Sequence, residues 1–130
     1  MDQAPLVIDE IEAGAEFIRR LNGYQRVAAA CWLRPDEDAE RYLHVALDGL
    51  TDDKIDNAYA EVLRVADEMK DHYIDPFRVK VISTDDRIAK AVLDIYRRYR
   101  APIPTRVKGS VFGGMAVDEV YIYPPLPAQP

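Results

Sequence analysis

Apolar residues recur every three or four positions between residues 8 and 22, at Ile8, Ile11, Ala15, Ile18 and Leu21, with Gly14 and Phe17 beside the stripe. That period predicts an amphipathic helix. Asp9, Glu10 and Glu12 stand in its first turns and Arg19 and Arg20 in its last, each sign where the helix dipole favours it. Asn22-Gly23 is a stop signal. The pattern then changes to alternation. Over residues 24–34, Val27, Ala29, Cys31 and Leu33 fall on one side of a strand, and Arg26, Ala28, Ala30 and Trp32 on the other. Small residues on both sides fit a strand with something packed closely against it. The polar turn Pro35-Asp36-Glu37-Asp38 leads to a second strand, 41–48, with Leu43, Val45 and Leu47 on one face and Tyr42, His44, Ala46 and Asp48 on the other. The short connection predicts an antiparallel hairpin.

Thr51, followed by Asp52 and Asp53, has the chemistry of a helix start. From 52 to about 72, Ile55, Ala58, Tyr59, Val62, Ala66, Met69 and Tyr73 trace an apolar helical face. Asp75-Pro76 ends this helix and a strand follows over 77–82. Ser83-Thr84-Asp85-Asp86 opens a third helix with Ile88, Ala89, Val92, Leu93, Tyr96 and Tyr99 on its buried side. Ala101-Pro102-Ile103-Pro104 breaks it. Residues 108–114 read as a glycine-bearing loop, and 116–123 as the last strand. The tail, 124–130, has four prolines and is expected to be extended and flexible.

The expected order is α-β-β-α-β-α-β. It describes one α/β domain over residues 1–130, with three helices and a four-stranded mixed sheet. The second, third and fourth strands can lie parallel, with the first added antiparallel at one side.

Composition narrows the class. The chain has 130 residues, 48% hydrophobic and 31% charged, as an ordinary globular domain does. Its one cysteine, Cys31, excludes a disulfide scaffold within the chain and a cysteine-rich zinc module. The acidic start Met1-Asp2-Gln3-Ala4-Pro5 carries no export signal, and no apolar run approaches the ~20 residues of a membrane span. The cytoplasm is therefore the expected compartment, with no membrane contact. The net charge of −6 is unevenly spread: residues 1–75 hold 18 acidic and 8 basic side chains, residues 76–130 hold 5 and 9.

Candidate chemistry is sparse. There is no phosphate loop, dinucleotide glycine fingerprint or Gly-x-Ser-x-Gly elbow, and Gly113-Gly114 precedes a strand rather than a helix, as a turn needing positive φ would. Cys31 lies mid-strand, where a thiol is a small hydrophobe. His44 and Asp48 are ~13 Å apart at strand rise, too far for direct pairing, so a metal site would have to recruit His72 or another acid. A metal-dependent hydrolase on His44 and Asp48 is thus a remote reading, and no cofactor is implied. Asp36-Glu37-Asp38 lacks the spacing of a calcium loop. Asp75-Pro76 followed by Arg78-Val79-Lys80 resembles a metal-nuclease signature, but Arg78 stands where a metal-binding carboxylate belongs.

Two features carry binding expectations. Arg97, Arg98, Arg100, Arg106 and Lys108 form a basic segment interleaved with Tyr96 and Tyr99, fit for a phosphate-bearing ligand or nucleic acid. Nucleic acid is disfavoured by the acidic whole and by the arginines' place at a helix end, where the dipole alone accounts for them. In the final strand, Tyr121 and Tyr123 share a face with Val117. If that face or the strand edge is open, it is a pairing surface for a protein partner or a second copy; otherwise a helix covers it.

The run Val27-Ala28-Ala29-Ala30-Cys31-Trp32-Leu33-Arg34, the pair Ala58-Tyr59, the segment Val81-Ile82-Ser83-Thr84-Asp85-Asp86 and the ending Asp118-Glu119-Val120-Tyr121-Ile122-Tyr123 together resemble an uncharacterised family of small stand-alone bacterial proteins. The likeness spans most of the chain and rests on core-like positions. It implies a single intact bacterial domain, and brings no activity, cofactor or catalytic residue with it. With no convergent catalytic set, the expected function is a non-enzymatic interaction or accessory domain, with a homodimer or another protein partner as the expected association.

Overall fold

The computed structural model describes residues 8–98 and 105–126, with residues 105–110 described by their backbone alone. Three helices and five strands make a mixed α/β fold: α1 (Ile8–Asn22), β1 (Val27–Arg34), β2 (Tyr42–Leu47), α2 (Ile55–Met69), β3 (Val79–Ser83), α3 (Arg87–Arg98), β4 (Thr105–Phe112) and β5 (Met115–Ile122). Short 3₁₀ turns precede α2 (Asp52–Lys54) and β3 (Pro76–Arg78). The sheet order is β3-β2-β1-β5-β4. Helices α1 and α2 bury Phe17, Ile18, Leu21, Ala58, Val62 and Val65 against one face. Helix α3 buries Ile88, Ala89 and Val92 against the other. Among the described residues, no helix is long and apolar enough to cross a membrane.

Helix α1 ends where its sequence says. Tyr24 N–H donates to the Leu21 carbonyl at 2.9 Å, and the Asn22 side chain accepts from Val27 N–H at 2.9 Å, tying the helix end to the start of β1. Its middle is docked by the aromatic pair Trp32 and Tyr123. Trp32 Nε1–H donates to the Tyr123 hydroxyl (2.9 Å), which in turn donates to the Ile11 carbonyl of α1 (2.7 Å). Burial pushes the Tyr123 hydroxyl's pKa up, so it stays protonated and can both give and take a hydrogen bond. Gly14 is what admits it: a Cβ there would lie 2.2 Å from that hydroxyl oxygen and 2.9 Å from Trp32 Nε1.

The sheet departs from expectation in three ways. The first is a fifth strand. Residues 105–112, which the sequence leaves unassigned at 105–107 and reads as loop from 108, form β4, which pairs antiparallel with β5 from Thr105↔Ile122 to Phe112↔Met115. Gly113 (φ +60°) and Gly114 (φ +80°) are the two-residue hairpin turn between them, a geometry that requires positive φ at both positions. The second is strand order. β2 and β3 do pair in parallel, but β1 lies in the middle of the sheet, antiparallel to β2 on one side and β5 on the other. A strand apolar on both faces gains most from a central position. The third is a register shift in β1 between Val27 and Ala29. It turns Val27 to the α1–α2 side with Ala30 and Trp32, while Ala29, Cys31 and Leu33 face α3.

The second helix is shorter than its apolar stripe. Lys70 takes a left-handed conformation (φ 53°) and its N–H caps the Ala66 carbonyl at 3.1 Å, ending α2 at Met69. Asp75 then accepts from Phe77 N–H at 2.9 Å, which holds Pro76–Arg78 in a 3₁₀ turn and delays β3 to Val79. In the tail, Leu126 packs against the α1–α2 core, and residues 127–130 lie outside the described residues.

Candidate functional site

The basic segment does not converge. Arg97 and Arg98, at the exposed end of α3, engage Asp94 of the same helix at 3.8 and 2.9 Å. Arg100, with Tyr99, lies outside the described residues. Arg106 and Lys108 fall in β4, in register with Tyr121 and Glu119 of β5. The tyrosine face of β5 is covered by a helix, the second of the two arrangements its sequence allowed. Tyr121 is 9% exposed and Tyr123 6%, both in the α1–α2 core, and β5 is an interior strand. Val117, expected beside them, packs in the α3 core instead.

Cys31 is buried between β1's neighbours, and burial pushes its thiol pKa up to about 12. It carries essentially no thiolate at neutral pH and is no nucleophile. Among the described residues, no group of three or more His, Cys, Asp and Glu side chains is placed to hold a metal ion. Asp48 is exposed beyond the end of β2.

The structure does gather polar groups that the sequence left scattered. On the α3 side, a cavity of about 430 Å³ opens where β1 and β2 meet the start of α3. His44 lines it from β2, Lys80 from β3, and Asp86 and Arg87 from the α3 start. His44 and Lys80 are register partners across the parallel β2–β3 pair, so they lie side by side on one face. The Lys80 ammonium stands 4.7 Å from the centre of the Tyr42 ring. Asp86 caps α3, accepting from Ile88 N–H at 2.8 Å. His44 is only 8% exposed, and its Nδ1 lies 3.2 Å from the Tyr42 carbonyl. A carbonyl can only accept, so Nδ1 carries the proton and Nε2 keeps its lone pair.

Burial holds the His44 imidazole below its ordinary pKa; nearby Lys80 acts the same way, while the Tyr42 carbonyl and Asp86 oppose. The sign of the consequence follows directly. Below the ordinary value of 6.5, the unfolded chain takes up this proton before the folded chain does, so stability present above 6.5 is lost as pH falls. The urea-unfolding free energy of the wild type is expected to decline from about pH 6.5 to 5.5 more steeply than that of His44→Gln. Equal slopes would refute this account of His44.

A second polar group lies on the α1 side. Arg41 sits between Glu10 of α1 (3.2 Å) and Glu119 of β5 (3.6 Å), and Arg34 of β1 binds Asp118 at 2.7 Å. Glu119 is 2% exposed. Beside this network, Trp32, His72, Tyr73, Asp75 and Arg78 complete a cavity of about 330 Å³. Of the basic segment, Arg97 and Arg98 line neither cavity. Set against known protein families, curated proteins and solved structures, the chain matches no family model, no curated protein and no solved structure.

Proposed function

We propose that this chain is a non-catalytic interaction domain of the bacterial cytoplasm that forms a homodimer by pairing β4 with β4 of a second copy. The observation that carries the reading is the outer edge of the sheet. β4 is the terminal strand, eight residues long, and its register with β5 runs from end to end without a bulge. Such an edge presents a row of backbone donors and acceptors that another strand can take up. Val111 adds an apolar side chain 73% exposed on this strand. Antiparallel pairing of two identical edges is self-complementary and closes at two copies. The compartment is read from the lone buried cysteine, and the bacterial origin from the likeness of the core segments.

The alternative, a phosphate-bearing ligand or nucleic acid on Arg97, Arg98, Arg100, Arg106 and Lys108, draws less support, because Arg97 and Arg98 already engage Asp94. Light scattering and sedimentation over a range of concentrations test the dimer. The wild type is expected to dimerise, and Val111→Lys to weaken the dimer by about tenfold or more while leaving the circular dichroism spectrum unchanged. A wild type that stays monomeric throughout removes the proposal.

A further inference from the structure

We propose that the cleft beside His44 binds a small hydroxy acid with an apolar body, its carboxylate held by Lys80 and Arg87 and its hydroxyl donating to His44 Nε2. Three independent observations point there. First, a polar side chain nine-tenths buried lines the cavity with one nitrogen uncommitted: Nδ1 is spent on the Tyr42 carbonyl, and Nε2 has no hydrogen-bond partner among the described residues. An acceptor without a protein partner, on a side chain that lines the cavity, suits a ligand that brings a donor. Second, the charges that line the cavity are two carboxylates and two cations, and only the carboxylates are committed. Glu40 is taken by Arg78 at 2.6 Å and Asp86 by the start of α3, while Lys80 and Arg87 have no carboxylate partner among the described residues. Third, Leu33, Ile82, Ile88 and Met115 supply apolar wall. The volume of about 430 Å³ is in the range of small-ligand sites.

Each part of the ligand answers one of these features. The anion matches Lys80 and Arg87, the hydroxyl matches Nε2, and an aliphatic body matches the wall. Removing any one should weaken binding, because the corresponding protein group is then left without its partner.

The test is a titration followed by the imidazole nitrogen resonances of His44, using 2-hydroxyisocaproate as the probe. Isocaproate, 2-hydroxyisocaproamide and inorganic phosphate are the comparison compounds. Binding of the hydroxy acid with a shift of the His44 Nε2 resonance is expected. Isocaproate and the amide are each expected to bind about tenfold more weakly or worse, and so is the hydroxy acid to Lys80→Gln or Arg87→Gln. Both substitutions are at exposed positions, so the fold is not at stake. The assignment is overturned if the hydroxy acid leaves His44 unperturbed, if Lys80→Gln binds it as the wild type does, or if phosphate binds equally well.

Discussion

Gly14→Ala is expected to destabilise the fold by about 3 kcal/mol, read as a shift in the urea or thermal unfolding midpoint. In an exposed helix the same change would stabilise, by about 1 kcal/mol. Here the added methyl would sit 2.2 Å from the Tyr123 hydroxyl oxygen and 2.9 Å from Trp32 Nε1. That hydroxyl is fixed from two sides, by Trp32 and by the Ile11 carbonyl, and the residue is buried, so it cannot swing into solvent. Moving it breaks two hydrogen bonds, one buried and one half-buried, of about 1 kcal/mol each and loosens α1 from the sheet. Packing therefore outweighs helix propensity. Tyr123→Phe provides the control. It removes the oxygen that the new methyl meets, so Gly14→Ala is expected to cost less in the Tyr123→Phe background than in the wild type. Strict additivity of the two changes would show that the crowding lies elsewhere.

The apolar period located α1 to the residue, and Gly14 stood visibly beside its stripe, but nothing local says that an aromatic 109 positions away needs the space. The same limit shaped the sheet. β4 escaped because Arg106, Lys108, Gly109 and Ser110 dilute its apolar content, as suits an edge strand. Its signal was Gly113-Gly114 flanked by Val111-Phe112 and Met115-Ala116, a hairpin turn rather than a loop. The central place of β1 contradicts the expected one at the side of the sheet, although the apolar residues on both of its faces carried the signal. The bulge near Ala28 left no signal, since alternation alone carries Val27 onto the wrong side.

The candidate cleft was legible only in pieces. His44 stood out only beside Asp48, too far for pairing, whereas its neighbour Lys80 is brought in by the parallel register of β2 and β3, and Asp86 by the docking of α3. Pairing between strands 36 residues apart leaves no local mark. The uneven charge, by contrast, acquires a spatial meaning. α1 and α2, each net acidic, cover one face of the sheet, and α3, net basic, covers the other. The net charge of the helices thus differs between the two faces of the sheet. The His44 cleft lies on the α3 side, where Lys80 and Arg87 stand beside Glu40 and Asp86.

Arg41→Met is expected to cost about 3 kcal/mol at neutral pH. Methionine keeps much of the apolar stem while removing the guanidinium from between Glu10 and Glu119. Glu119 is 2% exposed, and a carboxylate so buried is held less well once the Arg41 cation is removed. Glu119→Gln in the Arg41→Met background removes the charge that Arg41 faces and is expected to recover part of the loss. A loss caused by packing alone would not respond to the second substitution. Urea unfolding of the wild type, Arg41→Met and the double variant at neutral pH separates the two, and a double variant no more stable than Arg41→Met would show that the ion network contributes shape rather than charge.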